Sequence, residues 1–141
     1  MIYGNFDSKW RPYVNGEMRI QEARLRKNVS FLLDTGASDI IISSNDAKSL
    51  GVDYHRLAPL VSLSGIGGAA LAHPGFADMT FVGKGVIYKY SRVPIYILEA
   101  SGNATVPSLL GQEMLKRWKM TFCFDTSEII ISPRRFDARI P

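Results

Sequence analysis

The 141-residue chain has one cysteine, two histidines and no long apolar segment, and each shortage excludes a class of site. Cys123 has no second cysteine to pair with, which excludes an internal disulfide and a cysteine-based metal site. His55 and His73 lie far apart, in no context typical of a Ser-His-Asp triad or a histidine metal site. No stretch reaches the ~18 apolar residues of a membrane-spanning helix. We therefore expect no metal, no cofactor and no membrane span.

The charge of the chain is mild and dispersed. The net charge is +4, with 21% charged and 46% hydrophobic residues, which is typical of a soluble globular protein. No long basic run is interleaved with aromatic residues, so nucleic-acid binding is not predicted. The first residues, MIYGNFDSKW, lack the charged and then apolar regions of a signal peptide. The expected location is cytoplasmic.

Short strand patterns dominate the sequence. They are VSFLLD, DIIIS, LVSLSG, ADMTFV, GVIYKY, VPIYIL, MTFCFD and EIIIS, separated by turn-forming residues. Two helical patches interrupt them: SSNDAKSLG, with capping residues Ser44 and Asn45 and a terminal Gly51, and PSLLGQEMLKRW, with Glu113 and Arg117 spaced to pair. The length suits one domain, and no repeat or linker is present. The pattern predicts a compact all-β barrel or sandwich.

The segment SFLLDTGASDIIIS places an acid between two strongly apolar runs. Asp34 comes directly after a predicted buried strand, where an ionised carboxylate needs compensation for its lost solvation. Gly36 allows close backbone approach, so that N–H groups can hold the acid. Asp, Thr and Gly are also common turn residues, and three residues alone do not distinguish a turn from a catalytic site.

The glycine-rich segment LSGIGGAALA permits a rival interpretation. Gly65, Gly67 and Ala70 match the spacing of a dinucleotide-binding fingerprint, which must open a helix. Pro74 and Gly75 would break such a helix almost at once. No acid lies about 20 residues further on, where the ribose partner is expected. A dinucleotide-dependent enzyme is therefore disfavoured.

Four segments, in order, resemble the retropepsin-like aspartic proteases, the single-domain family of retroviral type. FLLDTGAS resembles the active-site segment and LSGIGGAALA the flap tip, while SLLGQEMLKRW and MTFCFDTSEIIIS are similar to the late helix and the final hairpin. The resemblance implies a closed all-β barrel with one or two short helices. It places the protease domain at residues 18–132, an N-terminal extension at residues 1–17 and a C-terminal tail at residues 133–141.

The resemblance also implies a homodimeric aspartic endopeptidase, with each subunit contributing Asp34. Two carboxylates about 3 Å apart cannot both ionise, so the pair shares one proton. The ionised carboxylate takes a proton from water while the protonated one polarises the scissile carbonyl. In the family, the residue matching Thr35 bonds across the dimer, and the backbone at Gly36 helps to fix the carboxylate. The terminal hairpin and the edge strands of the barrel are expected to supply the interface.

The same resemblance predicts where a peptide substrate binds. An extended peptide would add a strand beside the flap, with its side chains in alternate pockets. The predicted catalytic residues are Asp34, Thr35 and Gly36. The predicted substrate-binding residues follow this triplet or form the flap tip: Ala37, Ser38, Asp39, Ser64, Gly65, Ile66, Gly67 and Gly68.

The sequence departs from the retroviral pattern at one pair of positions. Many retroviral enzymes pair an acid two residues after the catalytic glycine with an arginine after the late glycine, and Ser38 and Gln112 stand there instead. Asp39 is a candidate for part of that role or for capping the turn. The tail PRRFDARIP has no assigned counterpart in the family.

Two further interpretations complete the analysis. The triplet that begins at Asp125 repeats the acid-threonine pattern, but the chain is too short for a two-lobed protease, so we interpret it as a turn. The alternative function is a peptide-binding or dimerisation module of the same fold with little or no proteolysis.

Overall fold

The computed structural model describes residues 1–65, 68–100 and 106–141. Strands make up most of these residues, which confirms the predicted all-β class. The strands are β1 (Ile2–Phe6), β2 (Pro12–Ile20), β3 (Lys27–Leu33), β4 (Ile41–Ile42), β5 (Val61–Gly65), β6 (Gly68–Gly83), β7 (Val86–Leu98), β8 (Ser108–Leu110), β9 (Trp118–Cys123), β10 (Glu128–Pro133) and β11 (Ala138–Ile140). The helices are α1 (Ser44–Ser49), α2 (Gln112–Leu115) and a 3-10 turn at Tyr54–Arg56.

Six strands close a barrel, as predicted. Hydrogen bonding runs in the order β6–β7–β4–β8–β3–β2, and β2 returns to β6 through pairs such as Met18 with Met79. Two pairings in the ring are parallel, β3 with β8 and β4 with β7. Because parallel neighbours cannot be joined by a tight turn, residues distant in sequence meet here. The Asp34 loop and α2 both begin at the β3–β8 pair.

Alternation along the strands directs one face of each into the core. In β2, Val14, Met18 and Ile20 are fully buried. Gly16, on the same face, leaves room for the Phe81 ring, since a Cβ there would lie 2.5 Å from a ring carbon. The Phe81 ring in turn meets the Trp118 ring edge-on, with centroids 4.9 Å apart. Phe81 of β6 therefore packs against both β2 and β9.

The first predicted helix is confirmed in its position, but the predicted capping residues are wrong. The N-cap of α1 is Ser43, whose side chain accepts a hydrogen bond from the Asp46 N–H at 3.1 Å. Ser44 and Asn45, the predicted caps, lie inside the helix because Ser43 is the last residue with extended backbone angles. Gly51 follows the helix with φ of +71°, a conformation that favours glycine.

The second helical patch is partly a strand. Its first residues form β8, which pairs with β3 and β4, and α2 spans four residues. The helical spacing of apolar residues was misleading, because a short buried strand such as β8 is apolar along its whole length and resembles part of a buried helix. The predicted pair of Glu113 and Arg117 is confirmed, with 3.4 Å between the charged atoms.

Residues 1–17 and 133–141 both contribute strands. β1 pairs with β10 and with β2, and β11 pairs with β7. In the tail, the Asp137 carboxylate accepts a hydrogen bond from the Ser91 N–H at 2.7 Å. The Phe136 ring lies 5.3 Å from the Tyr88 ring, between centroids. The domain boundaries at residues 18 and 132 stay a prediction.

The triplet that begins at Asp125 lies in the turn between β9 and β10, as predicted. Ser127 adopts φ of +57° at the end of this turn. No helix within residues 1–65, 68–100 and 106–141 has the length and apolar character needed to cross a membrane.

The buried phenol of Tyr90, on β7, predicts a loss of stability at alkaline pH. Its hydroxyl accepts a hydrogen bond from the Trp118 indole N–H at 2.7 Å. Burial raises the pKa of Tyr90 to about 12 from an ordinary value of 10.0. The unfolded chain therefore loses this proton first, and stability that is fully present below pH 10 is lost as the pH rises toward 12. Urea unfolding across this range should show a steeper decline for wild type than for Tyr90→Phe; equal slopes would contradict the prediction.

Candidate active site

Asp34 is positioned by the parallel pair of β3 and β8. Leu33, the last residue of β3, pairs with Leu110 of β8, and both side chains are buried. The next N–H, that of Asp34, donates to the Leu110 carbonyl oxygen at 3.0 Å. Asp34 itself is half-buried. Two core strands thus carry the carboxylate to the protein surface and hold its backbone there.

A tight turn then holds the Asp34 side chain. The Ala37 N–H donates to the Asp34 carbonyl oxygen at 3.2 Å, and the Gly36 N–H donates to Asp34 Oδ1 at 3.0 Å. A Cβ at Gly36 would lie 3.3 Å from the same Oδ1, so the glycine allows this close approach. The turn therefore fixes the position of one carboxylate oxygen through a backbone N–H.

The start of α2 supports this turn from behind. The backbone N–H groups of Gln112 and Glu113 donate to the carbonyl oxygens of Ala37, at 2.8 Å, and Ser38, at 3.0 Å. The Gln112 side chain donates from Nε2 to the Thr35 carbonyl oxygen at 2.7 Å. Sequence reasoning identified Gln112 only as a replacement for arginine and missed these contacts.

Gly111 makes this close contact possible. It is buried between β8 and α2. A Cβ at this position would lie 2.4 Å from the Asp39 carbonyl oxygen and 2.5 Å from that of Ala37. Any side chain would therefore push the Asp34 loop away from α2. The segment SLLGQEMLKRW, which resembles the late helix of the family, contains this glycine, but the sequence does not indicate what it contacts.

A polar network around Ser108 holds the start of α1, which follows the Asp34 loop and β4 in the chain. Ser108, the first residue of β8, is fully buried. Its Oγ accepts a hydrogen bond from the Ser43 N–H at 2.9 Å and donates to Asp46 Oδ2 at 2.5 Å. Since buried polar groups need partners, these bonds tie the start of α1 to β8. No local sequence pattern indicates this network, because Ser108 is 62 residues from Asp46 and 65 from Ser43.

The glycine-rich segment lies at the end of a hairpin. β5 pairs with β6 from Val61 opposite Ala72 to Gly65 opposite Gly68. The dinucleotide fingerprint requires a helix here, and the chain instead continues as a strand to Gly83. Of the residues predicted for the flap tip, Ser64, Gly65 and Gly68 end this hairpin. Ile66 and Gly67 lie outside the described residues.

The predicted site residues thus occupy two places in the fold. The loop after β3 carries the predicted catalytic residues together with Ala37, Ser38 and Asp39, and the β5–β6 hairpin carries Ser64, Gly65 and Gly68. Thr35, Gly36 and Ser38 are exposed, while Ala37 and Asp39 are half-buried. Among the described residues, no group of three or more His, Cys, Asp or Glu side chains is placed to hold a metal ion.

The site can be compared with solved structures of the same fold. A retropepsin-like aspartic protease from Rickettsia conorii superposes with a TM-score of 0.61 at 23% identity, over 93% of this chain and 97% of that one. The EIAV protease, solved with the inhibitor HBY-793, gives a TM-score of 0.51 at 16% identity, over 79% of this chain and 90% of that one. These likenesses confirm the predicted retropepsin-like fold.

Sequence comparison reaches the same family. An uncharacterised protein of Rickettsia prowazekii (strain Madrid E) is 30% identical over 91 residues, which cover 64% of this chain and 36% of that protein. The chain thus matches about a third of that relative's length. The family model described as aspartyl protease matches residues 13–114, which include the Asp34 loop, the hairpin and the start of α2. The chain therefore belongs to the aspartyl protease family.

Proposed function

We propose that the chain is one subunit of a homodimeric aspartic endopeptidase whose catalytic acid is Asp34. The observation that carries this proposal is the geometry of the Asp34 carboxylate. It stands at the end of a core strand, half-exposed, with one oxygen held by the Gly36 N–H at 3.0 Å. Family membership supports peptide-bond hydrolysis as the reaction.

The proposed reaction requires a second carboxylate that a symmetry-related subunit would supply. In a twofold dimer, a residue that lies beside the symmetry axis meets its own counterpart from the other chain. Two adjacent Asp34 carboxylates would then share one proton. The ionised carboxylate takes a proton from water, the water oxygen attacks the carbonyl carbon, and the protonated carboxyl donates to the carbonyl oxygen. The resulting gem-diol collapses as its C–N bond breaks: the carboxyl that took the water proton gives it to the leaving nitrogen, and the other carboxylate recovers its proton from a diol hydroxyl. No covalent enzyme intermediate forms.

The edge of β9 supports a subunit interface on the β9–β10 hairpin. Among the described strands, β9 ends the hydrogen-bonding order, so it has one paired side. Phe124, which follows β9, is 57% exposed and stacks on Phe6 with centroids 4.7 Å apart. Trp10 is 55% exposed, and its ring centroid lies 6.2 Å from that of Phe124. A sheet edge beside exposed aromatic side chains is typical of a surface that a second chain covers.

The proposed substrate is an extended segment of peptide or protein. A peptide strand can add its backbone hydrogen bonds to the β5–β6 hairpin. Residues of the Asp34 loop and of the hairpin end, including Ser38, Asp39 and Ser64, would then contact its side chains. Exposure of Ser38 and Ser64 supports this assignment.

Cleavage of a mixed peptide library tests the proposal. We expect cleavage that is favoured at acid pH, measured by mass spectrometry from about pH 3 to 7, a range that spans the titration of a carboxylate pair. A statine-type inhibitor should block it, and light scattering should show a dimer. Cleavage by a monomer would contradict the homodimeric site. A dimer that binds peptides without cleaving them would instead favour the peptide-binding module.

A further inference from the structure

Three carbonyl oxygens of the Asp34 loop accept hydrogen bonds from the start of α2. Those of Ala37 and Ser38 accept backbone N–H groups, at 2.8 and 3.0 Å. The first N–H groups of any helix lack partners inside the helix, so these two backbone hydrogen bonds can form whichever side chains occupy positions 112 and 113. The bond to the Thr35 oxygen is different, since it comes from the side-chain amide of Gln112 at 2.7 Å. That bond depends on which residue occupies the position.

The Thr35 carbonyl belongs to the same peptide unit as the Gly36 N–H. A peptide unit is planar and trans, so its C=O and N–H point in opposite directions and turn together. One end of this unit accepts the Gln112 amide, and the other end donates to Asp34 Oδ1 at 3.0 Å. A donor at the carbonyl also polarises the N–H and strengthens its own hydrogen bond. The amide group of Gln112 is thus linked to the Asp34 carboxylate through one rigid plane.

We infer that Gln112 is a positioning residue, which orients the Thr35–Gly36 peptide and through it the Asp34 carboxylate. The inference rests on the proposed function of Asp34. Gln112 does not touch the reacting atoms. Its side chain is exposed, so its replacement leaves the core intact. Its effect should therefore fall on the chemical step and leave the stability of the fold largely unchanged.

Gln112→Met tests the inference because methionine keeps the length of the side chain and removes the donor. We expect kcat to fall about 5-fold to 10-fold, as for the loss of one ordinary hydrogen bond, with KM unchanged. The Gly36 amide should exchange faster with deuterated solvent, by a similar factor. Gln21→Met is the matched control, since Gln21 is the only other glutamine and lies at the end of β2, away from the Asp34 loop. Light scattering and thermal unfolding should match wild type for both variants.

Gln112→Glu separates hydrogen-bond donation from side-chain shape. An ionised glutamate only accepts hydrogen bonds, whereas a protonated one carries an O–H donor. The ordinary pKa of glutamate is about 4.3, so this variant should regain activity relative to wild type as the pH falls below that value. The ratio of Gln112→Met to wild type should stay flat over the same range. A purely structural role would give both variants the same pH-independent deficit.

The outcomes separate this inference from the proposed function. A normal kcat with a normal Gly36 exchange rate in Gln112→Met overturns the inference and leaves the protease intact. Loss of activity through dissociation of the dimer also overturns it, because Gln112 would then act in assembly. If wild type cleaves no peptide, the proposed function fails. The Gly36 exchange rate still decides whether Gln112 holds the peptide unit.

Discussion

Replacing Asp34 by asparagine should largely abolish the proposed peptide cleavage while leaving the fold and the proposed dimer intact. Asparagine has nearly the same size, and its side-chain oxygen can still accept the hydrogen bond from the Gly36 N–H, which is 3.0 Å long in the native turn. It cannot take a proton from water, so the proposed general base is lost. We expect kcat to fall by about 10²–10⁴-fold, the usual contribution of a general base. Circular dichroism and light scattering should be unchanged.

Mixing the Asp34→Asn variant with wild type tests whether two subunits share one site. If subunits exchange at random, an equimolar mixture leaves about half of the wild-type chains in wild-type dimers, and a threefold excess of variant leaves about a quarter. Activity per wild-type chain should fall to these fractions, since a mixed dimer has a single Asp34. Activity that is indifferent to added variant, under conditions where exchange is shown by mass spectrometry, would contradict a shared site. Cleavage that persists in the pure variant would mean that another group is the base.

Gly111→Ala should destabilise the protein and inactivate the site together. The new methyl group would lie 2.4 and 2.5 Å from two carbonyl oxygens of the Asp34 loop, far inside contact distance. Backbone on both sides must then move, and overpacking of this kind usually lowers the free energy of unfolding by about 1–3 kcal/mol. Because the displaced segment carries Asp34, we expect kcat to fall by more than tenfold as well. Urea unfolding and peptide cleavage measure the two effects.

The matched control is Gly75→Ala, in β6. A Cβ there meets its nearest atom at 3.8 Å, which is ordinary contact, so this variant should retain wild-type stability and activity. If Gly111→Ala behaved like Gly75→Ala, the contact between α2 and the loop would not constrain the site. If Gly111→Ala lost stability but retained kcat, the loop would be held by other contacts.

The sequence was most informative where a single local pattern decides the structure. Asp34 after an apolar run, Gly51 after α1 and the turn at Asp125 all depend on nearby residues, and each lies where the pattern placed it in the fold. The strand patterns also predicted the all-β class, as a barrel or a sandwich, because one-sided burial makes apolar and polar residues alternate. The order of the four family-like segments then indicated the family.

The sequence was least informative where distant segments meet. The predicted strands GVIYKY and VPIYIL form one continuous strand, β7. The irregular residues between them are accommodated by a bulge, in which Arg92 adopts φ of +51° and the pairing with β6 shifts register after Ala77. Pro74 lies within β6, where a strand was not predicted. Proline has no N–H to donate to a neighbouring strand. Among the described strands, residues 73–76 of β6 pair with β7 on one side and with no strand on the other, so a proline can be accommodated here. The 77-residue separation of Gln112 from Thr35 likewise leaves no local trace.

The C-terminal strand β11 has a consequence for how this domain can be shortened. β11 covers residues 87–89 of β7 on the side opposite β6. A chain cut after Ser132, at the predicted domain boundary, would leave VIYKY as a bare edge that is rich in aromatic and β-branched residues. Such edges template the pairing of further chains and promote fibrillar aggregation. The tail, residues 133–141, therefore covers an edge that would otherwise be prone to aggregation, and a shortened form of the protein should keep it.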